Sequence, residues 1–227
     1  MNGFIKIVLF DLDDTLYDER TFVTSGFNIV ATYLASKFGL DKQQVFSAMM
    51  TVLTREGRGR IFDRVLLSYG LYSPELVTEL VNIYRSHLPQ ISLYPDVQPS
   101  FRALKQRGAR LGIVTDGLHE VQKRKVSALG LCELMDVIIY TDELGKEHWK
   151  PHPLGFQHAL KRLSATSEDA LYVGNDPVKD FAGPKSIGMY SVHLCRNSLP
   201  EKCSCEADAH ITKLTQLIQV ILERGKQ

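Results

Sequence analysis

No apolar run in this sequence approaches the roughly 20 residues that a membrane-spanning helix needs. The opening Met1-Asn2-Gly3-Phe4-Ile5-Lys6-Ile7 carries no basic stretch followed by a long apolar one. A membrane partner and a secretory leader are therefore not expected, and a cytoplasmic protein is. Charge of one sign is lacking too: 27 Lys and Arg stand against 26 Asp and Glu, a formal net charge of +1. That balance gives no basic field for nucleic acid. Cysteine is scarce, with Cys132, Cys195, Cys203 and Cys205 alone. A chain of 227 residues builds a core without disulfides. Cys203-Ser204-Cys205 is the only close pair, and no second pair of cysteines or histidines flanks it at the usual zinc-ligand spacing. Structural or incidental thiols are expected. Internal repeats and low-complexity segments are missing as well.

What is there reads as an ordinary globular chain, 44% hydrophobic and 23% charged. Phe4, Ile5, Ile7, Val8, Leu9 and Phe10 form an apolar run that suits a strand buried on both faces. After residue 17 the texture changes. Residues 22–38, 41–55, 61–69 and 74–88 each show apolar positions at helical spacing. Gly39 closes the first of these, and Ser73-Pro74 supplies an N-cap and a first-turn proline for the fourth. Residues 18–94 thus read as four consecutive helices.

From residue 97 strand and helix alternate. Helices are expected at 97–107, 118–129, 153–163, 178–187 and 212–224, and strands at 111–115, 137–141, 170–174, 189–194 and 209–211. Such alternation implies an α/β fold with a doubly wound parallel sheet, interrupted after its first strand by the helical block.

Four polar clusters stand at the carboxyl ends of expected strands or just past them. Asp11 and Asp13 are two apart, so the strand period points them the same way. In an open parallel sheet that end is where ligands bind. Two such carboxylates repel unless a divalent cation sits between them or one is protonated. Oxygen ligands favour Mg²⁺, and a desolvated Asp beside it can attack phosphorus. The second cluster, Ile113-Val114-Thr115-Asp116-Gly117, ends a strand in a hydroxyl, with Gly117 allowing a tight turn. Thr115 and the amides after it could bind an anion. Lys150-Pro151 puts a cation at a helix start, and Gly174-Asn175-Asp176-Pro177-Val178-Lys179-Asp180 is a carboxylate-rich turn.

In this order and spacing the four clusters resemble the motifs of the haloacid-dehalogenase-like hydrolase superfamily, and the resemblance covers essentially the whole chain. It implies a Rossmann-like core from residues 1–17 and 95–227, and an inserted four-helix cap from 18–94. It also implies roles. Asp11 would be the nucleophile that forms an aspartyl-phosphate, and Asp13 the general acid and then the base that activates water. Thr115 and the amides of Asp116 and Gly117 would bind the phosphoryl oxygens, and Lys150 would neutralise charge. Mg²⁺ would be held by Asp11, the Asp13 carbonyl, Asp176 and Asp180.

The fourth motif departs from the family pattern, in which an Asp follows the Gly directly and a second Asp comes three or four residues later. Here Asn175 intervenes. Asp176 and Asp180 have the three-residue gap, whereas aligning on Asp180 puts Asn175 in the first slot. The preference of Mg²⁺ for a carboxylate over an amide favours Asp176. Dehalogenase members lack an acid at the position of Asp13, because a halide leaving group needs no proton, whereas mutase members share it. The expected activity is a Mg²⁺-dependent phosphatase acting on a small phosphorylated metabolite, with a phosphomutase or a catalytically idle binding protein as rivals. Arg55, Arg58 and Arg60, between two cap helices, could reach an anionic substrate. The resemblance is compatible with a monomer or a cap-mediated homodimer.

Overall fold

The computed structural model describes residues 5–196 and 206–225. Phe4 of the expected first strand, Cys203 and Cys205 lie outside these residues. The chain divides into two units, one formed by Met1–Glu19 with Ser92–Gln227 and the other by Arg20–Ile91.

The first unit is built on six strands: β1 (Ile7–Phe10), β2 (Arg110–Thr115), β3 (Val137–Tyr140), β4 (Ala170–Gly174), β5 (Tyr190–Leu194) and β6 (Ala209–Ile211). Their spatial order is β3-β2-β1-β4-β5-β6, with every neighbour parallel. Parallel strands need covered faces, and the residues of β1 are completely buried. The close fit continues in β2, where a Cβ on Gly112 would come within 2.5 Å of Val137 and 2.7 Å of Leu9. Strand order reverses beside β1, so the carboxyl ends of β1 and β4 open together at the crevice where such sheets bind ligands.

Helices α5 (Val97–Gln106), α6 (His119–Ala128), α7 (Leu154–Arg162), α8 (Ala182–Ser186) and α9 (Leu217–Arg224) connect or flank these strands. Three expectations are trimmed, one of them the last helix, sought at 212–224 and found at Leu217–Arg224 after a 3₁₀ turn at Leu214–Gln216. The helix sought at 178–187 is confined to Ala182–Ser186, because Oδ1 of Asp176 accepts hydrogen bonds from the amides of Val178 and Lys179 at 2.9 and 3.4 Å and folds that stretch into a turn. The strand sought at 137–141 ends at Tyr140, and Thr141 starts a short 3₁₀ turn.

The chain leaves and re-enters this unit through adjacent segments. The Tyr94 amide donates to the Leu16 carbonyl at 2.9 Å. The Arg196 guanidinium bonds the Thr15 carbonyl at 2.9 Å and Asp96 at 3.0 Å, and lies 3.9 Å from the centre of the Tyr94 ring. The two ends of the first unit that bracket the insertion in sequence are thereby tied to each other.

The second unit holds most of α1 (Glu19–Phe38), with α2 (Lys42–Glu56), α3 (Ile61–Ser68) and α4 (Pro74–Ser86). The cap signals work as the sequence suggests. Asp41 accepts from the Gln44 amide at 2.7 Å, and Ser73 from the Leu76 amide at 3.1 Å. Val30, Leu34, Val45, Met49, Val65 and Leu80 form a core of its own.

Candidate active site

The site starts from the end of β1. The Asp11 amide donates to the Val173 carbonyl at 2.9 Å, which fixes the turn out of the strand against β4. Asp11 is only 2% exposed. Its Oδ1 accepts from Nζ of Lys150 at 2.5 Å. The same ammonium bonds Oδ1 of Asp180 at 2.7 Å and the Tyr172 hydroxyl at 2.9 Å. One buried cation thus serves two buried carboxylates. Burial alone would lower the Lys150 pKa, but the two carboxylates drive it well above its ordinary value.

The carboxylates share that cation unequally. Both oxygens of Asp180 are engaged: Oδ1 takes Lys150 and the Tyr172 hydroxyl at 2.9 Å, and Oδ2 takes the amides of Asn175 and Asp176 at 3.0 and 2.8 Å. Burial pulls its pKa up, yet Lys150 and these donors hold it below the usual carboxylate range. Asp11 fares the other way. Burial dominates, Asp180 adds to it, and its pKa rises to about 7 despite Lys150. Asp11 is left as an under-compensated buried carboxylate.

Asp180, expected among metal ligands, is thus committed to Lys150, Tyr172 and the turn. Oδ1 of Asn175 accepts from the Thr15 hydroxyl at 3.0 Å, and that hydroxyl lies 3.4 Å from Oδ2 of Asp11. The Asp176 carboxylate instead turns back onto the amides of Val178 and Lys179, with the Lys179 ammonium 3.9 Å away. Asn175 is thus the residue of this motif whose side chain reaches the Asp11 cluster through the Thr15 hydroxyl.

Asp13 is surrounded by donors. Nζ of Lys125 lies 2.7 Å from Oδ1, the Tyr17 hydroxyl donates to the same oxygen, and Nε2 of Gln122 lies 2.9 Å from Oδ2. Burial would raise its pKa, but Lys125 and these hydrogen bonds outweigh it and hold Asp13 below the usual carboxylate value. Gln122 also donates to Oγ1 of Thr115 at 2.7 Å. The amide of one glutamine therefore ties the end of β1 to the end of β2. Gly117 has φ +119°, and a Cβ there would meet Gln122 at 3.1 Å.

Asp116 is expected to act through its amide, and its carboxylate has structural work of its own. Oδ1 accepts from the Thr141 hydroxyl at 2.6 Å and from the Lys150 amide at 3.1 Å. It anchors the loop that carries Lys150.

Sequence reasoning missed Lys125, Gln122, Tyr17 and Tyr172. Gln122 and Lys125 are three apart and share one face of α6, so a polar pair was visible. Its direction became meaningful only once α6 was placed beside β1.

Residues 8–194 match the family model for haloacid dehalogenase-like hydrolases, and the chain belongs to that family. Its named relatives make it a phosphatase. A glyceraldehyde 3-phosphate phosphatase of Methanocaldococcus jannaschii is 30% identical over 225 residues, covering 96% of this chain and 97% of the relative. A ribulose-1,5-bisphosphate 5-phosphatase of Halopiger xanaduensis is 30% identical and covers 82% of each chain. Among solved structures, an HAD phosphatase from Thermococcus onnurineus aligns with a TM-score of 0.64 and 28% identity over 95% of this chain and 97% of that one. A 2-haloacid dehalogenase from Pseudomonas syringae pv. Tomato aligns with a TM-score of 0.67 and 25% identity over 97% of this chain and 99% of that one. Among the described residues no helix is long and apolar enough to cross a membrane.

Proposed function

We propose that this phosphatase hydrolyses a small soluble phosphomonoester through phosphorylation of Asp11, with Mg²⁺ as cofactor, in the cytoplasm. The observation that carries the reading is the single Lys150 ammonium shared between Asp11 and Asp180, which leaves Asp11 short of positive charge at the mouth of the sheet.

The residues present fit Mg²⁺. The Asp11 carboxylate and Asn175 Oδ1 are hard oxygens on either side of one hydroxyl, and the Asp13 carbonyl completes a set that waters would fill out. Bound there, Mg²⁺ would supply charge neutralisation and orientation of the phosphoryl oxygens. Asp180 then acts through Lys150 and the turn rather than as a ligand.

A carboxylate oxygen of Asp11 attacks phosphorus, and the bond to the leaving oxygen breaks. Asp13 gives that oxygen a proton and later takes one from the water that cleaves the acyl phosphate. In the substrate-free arrangement Lys125 keeps Asp13 ionised. The negative charge of an arriving phosphate raises its proton affinity, and the proton it then takes up from solvent is the one it gives to the leaving oxygen. The Thr115 hydroxyl and the amides of Asp116 and Gly117 receive the phosphoryl oxygens, and Lys150 offsets their charge. Asp13 also separates this reading from halide release, which needs no acid. The helical unit Arg20–Ile91 would act as the cap that selects the substrate.

The relatives' names put triose and other short sugar phosphates first in a panel. Phosphate release with Mg²⁺ and with EDTA, for the wild type and Asp11→Asn, tests the proposal. Mg²⁺-dependent turnover that vanishes in Asp11→Asn supports it. Turnover that survives in Asp11→Asn, or that is indifferent to EDTA, defeats it.

A further inference from the structure

A second cluster of chemically active side chains lies behind the fourth motif, on strands the phosphatase chemistry does not use. In the parallel pairing of β5 and β6, His193 stands opposite His210. Cys195 follows His193 by two residues, so the strand period puts its side chain on the same face as His193. The Cys195 amide is held to the Ile211 carbonyl at 2.7 Å, which extends the pairing past the end of β5. One ligand atom from each of the three side chains lies within 4.8 Å of the other two. Sγ of Cys195 is 4.0 Å from Nδ1 of His210, and the two imidazole centres are 5.5 Å apart. His193 and Cys195 are buried and His210 half-buried, so the cluster has a closed side and an open one.

We infer that His193, Cys195 and His210 form a Zn²⁺-binding site separate from the phosphatase centre. The donor set is two imidazoles and a thiolate, which suits zinc and other borderline-soft cations far better than Mg²⁺.

An independent observation supports the assignment. Nε2 of His193 lies 3.0 Å from the Asn175 carbonyl. A carbonyl only accepts, so Nε2 carries the proton and the lone pair falls on Nδ1. Metal-bound histidines are commonly oriented by such a hydrogen bond from their other ring nitrogen. Tetrahedral zinc would bring the ligand atoms to roughly 3.4–3.6 Å from one another. The contraction from separations of up to 4.8 Å is roughly 1.4 Å at most, and the half-buried His210 ring is placed to provide it.

The sequence alone set the thiols aside because ligand spacing was sought around Cys203 and Cys205. The ligands are brought together by sheet register instead, across the 14 residues that separate Cys195 from His210 in the chain.

The test uses the full-length protein, purified under reducing conditions and stripped with chelator. It is titrated with Zn²⁺ against a chromogenic competitor and with Co²⁺ followed by absorption. The expected result is one tight equivalent, with the near-ultraviolet thiolate-to-cobalt band and strong visible bands of a tetrahedral site. Cys195→Ser should abolish the thiolate band, and His210→Gln, at a half-exposed position, should weaken Zn²⁺ binding at least tenfold while the fold is kept by circular dichroism. Asp11→Asn should leave both signals unchanged. No tight equivalent in the wild type overturns the inference. So do bands that persist in Cys195→Ser and vanish in Cys203→Ser/Cys205→Ser. Because the readout is spectroscopic, failure here is distinct from failure of the phosphatase reading.

Discussion

Asn175 and Asp176 are neighbours in the chain and turn their side chains to different work: Asn175 Oδ1 meets the Thr15 hydroxyl at 3.0 Å, whereas Asp176 Oδ1 caps the Val178 amide at 2.9 Å. An amide thus occupies the position beside Asp11, and the carboxylate next to it stabilises a turn. Asn175→Asp should therefore raise Mg²⁺ affinity, by roughly tenfold, since affinity follows the number of ligand charges. Asp176→Ala should leave that affinity within about twofold and cost about 1 kcal/mol of stability through the lost turn cap. Calorimetric titration of the two variants separates them, and the opposite ranking would return the ligand role to Asp176.

Asp11 predicts a pH dependence. Its folded pKa, about 7, lies above its ordinary value of 3.8. A raised carboxylate favours the folded state when protonated, so this contribution is present below pH 3.8 and is lost as pH rises to about 7. At full effect it is on the order of 4 kcal/mol. A divalent cation removes the penalty by replacing the proton. Apparent Mg²⁺ affinity should climb about tenfold per pH unit below 7 and level off above it. Melting temperatures with and without Mg²⁺ across that range give the profile, and a Mg²⁺ effect independent of pH would contradict it.

Lys150→Met removes the only cation bonded to both Asp11 and Asp180 among the described residues. The two carboxylates then face each other without it, and unfolding free energy should drop by about 3–5 kcal/mol. Turnover should fall by about 10²–10⁴. Adding Asp11→Asn to this variant should recover part of the stability and none of the activity. Denaturant melts paired with phosphate-release assays read the two effects separately.

The sheet and the helical block were legible because each rests on local pattern. The apolar run before Asp11, the glycines that close helices and Ser73-Pro74 all act within a few residues of themselves. The site was legible only as far as its chemistry sits at strand ends. Asp11, Asp13, Thr115 and Lys150 could be nominated that way. Lys125 could not, because its partner Asp13 is 112 residues away and nothing local marks a lysine on α6 as buried. Ligand preference spoke for Asp176 over Asn175, and the hydrogen bonds that direct the two side chains are invisible until the turn exists.

Lys125→Met tests that hidden pair. Lys125 is 3% exposed, and its ammonium is the charge that offsets Asp13. Its loss should cost about 3 kcal/mol of stability and raise the Asp13 pKa. Asp13 acts as an acid when protonated, so the alkaline limb of the kcat profile should move to higher pH. An unmoved limb with reduced stability would mean that Lys125 only packs.

The central position of β1 sets a timetable for the nascent chain. Its residues are made among the first, yet one flank waits for Arg110–Ile113 and the other for Ala170–Val173. At ribosomal rates the second partner arrives roughly 8–30 s after the first strand. During that interval an apolar segment has at first two open edges and, once Arg110–Ile113 is made, one, an arrangement prone to pairing with a foreign strand. The helices of Arg20–Ile91 make their contacts locally and can form in the meantime. Synthesis thus completes a helical domain while the strand bearing Asp11 still lacks a sheet, and a ribosome stalled before Ala170 would hold that strand with one edge unpaired.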